Sequence, residues 1–227
     1  MVFMQQLGVL LWKDLRLELR SREVVYTSVF FALLVTVISG FAFLRHAGAG
    51  EKVAPGILWI ALTFSGTLGM NRTFGRERED GCLQGVLLAP VPRPAVFLGK
   101  LVANFVFMAT AAAAMMPLVA LFFEPRLFAH GGGIGLCLAL GTLGFAAVGT
   151  LLSAGLSKAR LRHVLLPIVM YPLTLPAVIS GVMATTSILA PGPDAAAQAR
   201  AWLVLLGGYD VVFLAAAIFL FDPLVRE

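Results

Sequence analysis

The chain has 227 residues, 59% of them hydrophobic and 13% charged, and its mean hydropathy is +0.93. Soluble domains average roughly 45–50% apolar and about 25% charged residues, so folding in water would expose more apolar surface than water tolerates. A formal charge of +5 and a pI of about 9.7 raise the question of nucleic acid. The basic residues, however, stand in short clusters between long apolar runs, which is the pattern of membrane topology and excludes nucleic acid as a partner.

Residues 1–23 form the first element. Leu7, Leu11, Trp12, Leu15 and Leu19 make one stripe on a helical wheel, with Lys13, Arg16 and Arg20 opposite. This is the pattern of an amphipathic helix lying in the membrane interface, its basic face able to meet anionic headgroups. Leu11, Trp12, Leu15, Arg16, Leu19 and Arg20 are its expected interfacial residues, and a plain anchor for the N-terminus is the simpler alternative. Lys13, the first basic residue, follows an apolar stretch instead of preceding it, so a cleavable signal is not expected.

Residues 24–227 read as a bundle of six transmembrane helices, completing a single all-α integral membrane domain. The spans are Val24–Leu44, Val53–Met70, Leu101–Phe123, Gly131–Ser157, Val164–Pro193 and Ala201–Phe221, each near the roughly 20 residues that a helix needs to cross the hydrocarbon core. The second is the shortest, and Asn71 extends it. The fifth is too long for one straight span and carries Pro167, Pro172, Pro176, Pro191 and Pro193, so it is expected to be a broken helix that turns over near the outer surface. The runs do not alternate with period two, which argues against strands. Thirteen of the 17 Lys and Arg residues fall before the first span, in the second and fourth loops, and in the tail. The positive-inside rule then places both termini in the cytoplasm.

The second loop, residues 71–100, is the most informative segment. Arg72, Arg76, Glu77, Arg78, Glu79 and Asp80 crowd charges of both signs together, Gly81 can end that turn, and a short apolar helix with Leu83 and Leu87 on one face follows. Pro90 and Pro92 stop it, and Pro94 suits the first turn of the next helix. Topology accounts for the arginines but not for Glu77, Glu79 and Asp80, nor for an apolar knob just outside the membrane. Such a knob ringed by charges has the character of a docking surface for a soluble partner, with a plain surface loop as the alternative.

Motifs for chemistry are missing. The stretch Gly48–Lys52 lacks the spacing of a phosphate-binding P-loop, and no H-E-x-x-H, C-x-x-C or G-x-S-x-G occurs. The chain is therefore expected to be no enzyme and to bind no cofactor of its own. Cys82 and Cys137 fall in a charged loop and an apolar span and are not expected to pair. His46 and His130 lie on one side and His163 on the other, so they make no common metal site. Met115, Met116, Met170 and Met183 read as packing residues. Asp210, the tenth residue of the last span and its only charge, is expected to face a polar cavity or a partner, with Gly207–Gly208 allowing close helix approach; a kinked outer half that brings it to interfacial water is the alternative.

The stretch K-D-L-R-L-E-L-R-S-R-E (Lys13–Glu23), the loop N-R-T-F-G-R-E-R-E-D-G-C-L-Q-G-V-L-L-A-P-V-P-R (Asn71–Arg93), F-L-G-K (Phe97–Lys100) and the final G-G-Y-D-V-V-F-L through F-D-P-L-V-R-E resemble the CcmB family. Those proteins are permease subunits of the CcmABCD cytochrome c maturation system. The resemblance runs in order along nearly the whole chain, and a looser form of the loop occurs across ABC-2-type permeases. It implies an ABC-2-type half-transporter that pairs with a second copy in the bacterial inner membrane. It also implies a CcmA-like subunit that binds ATP, CcmC-like and CcmD-like membrane subunits, and a CcmE-like periplasmic chaperone that receives haem, the possible substrate. Coupling to the ATPase would fall to Arg76, Glu77, Arg78, Glu79, Asp80, Gly81, Leu83 and Leu87, with residues 1–23 as the connector helix. Trp12, Trp59 and Trp202 are widely separated, which departs from the tryptophan-rich haem motif of CcmC and puts direct haem ligation by this subunit in doubt. The alternatives are an ABC-2-type permease for a lipid or drug, and an ATP-independent channel or carrier.

Overall fold

A backbone that crosses hydrocarbon must satisfy its own N–H and C=O groups, and a chain of continuous apolar runs does so as helices. The computed structural model describes Gly8, residues 11–13, Arg16, and residues 22–43, 49–70, 92–123, 126–157 and 159–226. The helices are α1 (Arg22–Phe43), α2 (Ala49–Met70), α3 (Arg93–Phe122), the short α4 (Arg126–Ala129), α5 (Gly131–Gly155), α6 (Arg162–Leu189) and α7 (Ala195–Arg226). No strand occurs among the described residues. Five helices are long and apolar enough to cross a membrane: α2 over Lys52–Met70, α3, α5, α6, and α7 over Ala195–Phe221. Helix α1 has 22 residues and a shorter described apolar stretch, Leu33–Phe43. The protein is an all-α, multi-pass membrane protein.

Of residues 1–23, Leu11, Trp12, Lys13 and Arg16 are helical, with Trp12 and Arg16 exposed and Leu11 and Lys13 half-buried. Leu7, Leu15, Leu19 and Arg20 lie outside the described residues.

Three expectations need correction. Helix α6 is not broken: Pro167, Pro172 and Pro176 sit inside one continuous helix of 28 residues. Each proline removes one amide donor, but neighbours make such sites tolerable in a membrane helix. The Tyr209 hydroxyl of α7 donates to the Leu173 carbonyl of α6 at 3.0 Å and ties the two helices together along this proline-bearing stretch. The turn comes later, at residues 190–194, where Gly192 takes φ 126°, a conformation that glycine adopts without a Cβ penalty. Helix α7 then begins at Ala195, six residues before the expected Ala201. Helix α3 begins at Arg93, with Pro94 in its first turn as expected, so the last eight residues of the segment 71–100 are helix and not loop.

Contacts at the helix ends define two faces of the bundle. Ser153 of α5 donates to the carbonyl of Met70 at the end of α2, and the rings of Phe97 (α3) and Phe221 (α7) lie 5.2 Å apart. At the opposite end, the space beside Gly133 of α5 is bordered by Ile188 of α6. The C-terminal end of α2, the N-terminal end of α3, the C-terminal end of α5 and the C-terminal end of α7 therefore share one face.

The centre is organised by glycines that leave room for large side chains, the means by which membrane helices pack closely. The Trp59 indole of α2 fills the spaces beside Gly141 of α5 and Gly181 of α6, and its Nε1 donates to Thr185 Oγ1 at 3.0 Å. Thr185 in turn donates to the Gly181 carbonyl at 2.8 Å, to which Cys137 also donates its thiol at 3.6 Å. Gly149 of α5 receives Met70 and Met170, while Gly66 and Gly69 of α2 receive Met108 and Phe107 of α3.

A methyl added at Gly181 or Gly141 would overlap the indole, whereas one added at Gly208 meets nothing within 4 Å. In reversible unfolding from mixed micelles, Gly181→Ala is expected to lose about 1–3 kcal/mol, the usual cost of overpacking. The same change at Gly208 should be neutral or slightly stabilising, because alanine is the better helix former. Equal stability of the two variants would remove Trp59 from the centre of the packing.

Candidate functional site

Segment 71–100 was expected to meet a soluble partner. Arg76, Glu77, Arg78, Glu79, Asp80, Gly81, Leu83 and Leu87 all lie outside the described residues. What the structure does describe is how the two helices flanking them are held. Helix α2 is described as far as Met70, and Ser153 Oγ, buried on α5, donates to the Met70 carbonyl at 3.0 Å. On the other side, the Ala95 amide donates to the Pro92 carbonyl at 2.8 Å and closes the first turn of α3. Two and three turns on, Lys100 is buried to 4% exposure, and Asn104 Nδ2 donates to Thr150 Oγ1 of α5 at 2.8 Å. The end of α2 is thus tied to α5 at Met70, and α3 is tied to α5 three turns into the helix, at Asn104.

Sequence reasoning missed this seam. Lys100 and Arg93 read as loop charges, although Lys100 is buried and Arg93 half-buried. Asn104 was the available signal, because an amide in an apolar span needs a partner. Thr150 and Ser153 gave none, since a hydroxyl in a membrane helix can always bond back to its own backbone.

Asp210 occupies the middle of α7, 15 residues after Ala195 and 16 before Arg226. It is 3% exposed, and neither carboxylate oxygen has a hydrogen-bond donor among the described residues. The space that admits it lies on α5: a methyl at Gly144 would overlap Asp210 Oδ1 and the Tyr209 ring. Gly207 and Gly208, the expected points of close approach, face open space instead.

No group of three or more His, Cys, Asp or Glu residues able to hold a metal occurs among the described residues. His130 and His163 are exposed, and His46 lies outside the described residues. Cys137 is a buried free thiol. A cavity of about 10 Å³ lies beside Trp59, Thr63, Met108 and Phe145, space for one water at most. The described site residues are not gathered in one place: Trp12 and Arg16 lie on the N-terminal element and Asp210 in the centre of the bundle.

With this arrangement in view, the chain was compared with known proteins. The "CcmB protein" family matches residues 5–226. A protein of Escherichia coli (strain K12) named "Heme exporter protein B" is 32% identical over 102 residues, 43% of this chain and 46% of that protein. The chain thus matches about half the length of that relative. Proteins of the same name match more fully in Rhodobacter capsulatus, at 30% identity over 76% of this chain and 78% of the relative, and in Bradyrhizobium diazoefficiens, at 25% over 82% and 83%. With both the family match and the Rhodobacter relative spanning most of its length, the chain belongs to the CcmB family.

Proposed function

We propose that this chain is the membrane permease subunit of an ABC transporter in cytochrome c maturation. In this reading it couples ATP hydrolysis in a partner to haem export, or to release of a haem-loaded periplasmic chaperone. The observation that carries the reading is the family match along residues 5–226, joined to relatives named "Heme exporter protein B". Haem is then the substrate, and ATP is bound by the partner. A CcmA-like nucleotide-binding subunit docks on the bundle face from which residues 71–91 emerge. CcmC-like and CcmD-like subunits and a second copy of this chain complete the membrane complex, and a CcmE-like chaperone receives haem.

The geometry fits a coupling role for that face. A partner pressing on residues 71–91 acts on α2 and α3, which are tied to α5 through Ser153–Met70 at the end of α2 and Asn104–Thr150 three turns into α3. Coupling also requires two global states with different affinities for the nucleotide-loaded partner and for the substrate or chaperone. The complex resides in the inner membrane with both termini cytoplasmic, as the distribution of basic residues supports.

Two experiments test this reading. Leu83→Asp places a charge at the centre of the proposed interface, where such changes cost about 2 kcal/mol or more. Recovery of the nucleotide-binding subunit with the purified permease should fall by roughly 30-fold, while the permease still inserts. Unchanged recovery in both Leu83→Asp and Glu79→Lys would refute docking there. For topology, single cysteines at Ala49 and Ala197 in a Cys-free background should react with a membrane-impermeant thiol reagent in intact cells, and one at Ala159 should not. Reaction at Ala159 alone would invert the orientation and remove the cytoplasmic docking face.

A further inference from the structure

A carboxylate in the centre of a membrane helix is costly unless it is paired, hydrated or neutral. Asp210 lies about 22 Å along α7 from its first residue at the usual helical rise, is 3% exposed and has no hydrogen-bond donor among the described residues. Among the described residues, the groups around it offer no counter-charge. Helix α5 carries no Lys, Arg, His, Asp or Glu between Gly131 and Gly155, and its one thiol, Cys137, is committed to Gly181. On α6, Tyr171 meets the ring of Phe64, while Arg162 and His163 bond to each other at the helix start. On α3, Arg93 and Lys100 lie near the end that packs Phe97 against Phe221, 11 residues along α7 from Asp210. On α7 itself, Tyr209 directs its hydroxyl to the Leu173 carbonyl, and Arg200, Asp222 and Arg226 lie toward the helix ends.

We propose that Asp210 carries a proton while α5 and α7 are packed at Gly144, and that it gives up this proton to entering water when the two helices part. The α5–α7 seam is then a proton-sensitive latch. Closed, it needs a neutral acid, because a charge there has no partner. Open, it admits water, the acid ionises, and the charge opposes closure until a proton returns. The proton is only transferred between the carboxyl and water, so no further reactant is required. The latch does not depend on which substrate the complex carries, and it accounts for an acid placed where Asn would serve a purely structural purpose.

The test is infrared difference spectroscopy on the full chain in lipid nanodiscs, purified with the subunits that accompany it. At neutral pH the spectrum should contain the carbonyl stretch of a protonated carboxylic acid that is missing in Asp210→Asn. Lack of that band at neutral pH would overturn the proposal, because the group would then be ionised in the packed state. After transfer to heavy water the band should shift completely as the seam opens and recloses. A band that never shifts would mean a permanently sealed acid and would also overturn the latch. Gly144→Ala, whose methyl overlaps Asp210 Oδ1 and the Tyr209 ring, should hold the seam apart, removing the band at neutral pH and restoring it on acidification. Gly208→Ala should leave it in place. A folded Gly144→Ala protein that keeps the band at neutral and alkaline pH would contradict the mechanism. If that variant fails to insert, exchange in heavy water decides the question alone.

Discussion

The packing of this bundle depends on one large side chain in a place where only glycine leaves room. Trp59 enters from α2 between Gly141 of α5 and Gly181 of α6 and ends its reach in a hydrogen bond to Thr185. In lipid, apolar side chains gain little by leaving one apolar medium for another, so association rests on close packing and on polar contacts between helices. The indole supplies both. Helix α5 is the hub of this arrangement, because Gly141, Gly144 and Gly149 receive side chains from α2, α7 and α6 along its length. A helix without those glycines could not sit among three neighbours at once.

Two kinds of side-chain hydrogen bond recur among the described residues. Thr63, Thr142, Thr174 and Ser180 bond back to the backbone of their own helix. Trp59–Thr185, Asn104–Thr150, Ser153–Met70 and Tyr209–Leu173 each join two helices. Contacts of this kind average about 0.6 kcal/mol in membrane proteins and rarely exceed about 1.7. Four of them cannot hold the bundle without the glycine seats, but they set its register. Asp210 makes neither kind of bond, and an unpartnered acid in mid-helix is what marks it for a role other than packing.

Much of the architecture was legible in the sequence because composition and run length are nearly sufficient for membrane helices. Where the reading failed, information from distant residues was needed. The prolines of α6 have strong local consequences, yet whether they break the helix depends on how the surrounding bundle packs against it, which the local pattern does not show. Gly207–Gly208 looked like the seat for Asp210 because they adjoin it, but adjacent residues on a helix do not share a face with it; the seat is Gly144 on another helix. Lys100 misled for a related reason, since a charge normally ends an apolar run and here it is buried inside the helix that follows. The docking residues from Arg76 to Leu87 could be proposed from their mixed charge and apolar knob, and their resemblance to a family motif sharpened that into a role.

These features make one mechanical account. In the function proposed above, a face tied to α5 would receive force from an ATPase, the glycine seats would pass it through the bundle, and the complex would move haem or its chaperone on the far side. The most direct test is to reconstitute the permease with its nucleotide-binding and accompanying membrane subunits in proteoliposomes and to follow haem loading and release on the purified chaperone. The account predicts ATP-dependent delivery that stops when this chain is omitted, with the other subunits present at the same level. Delivery at an unchanged rate without this chain would contradict it.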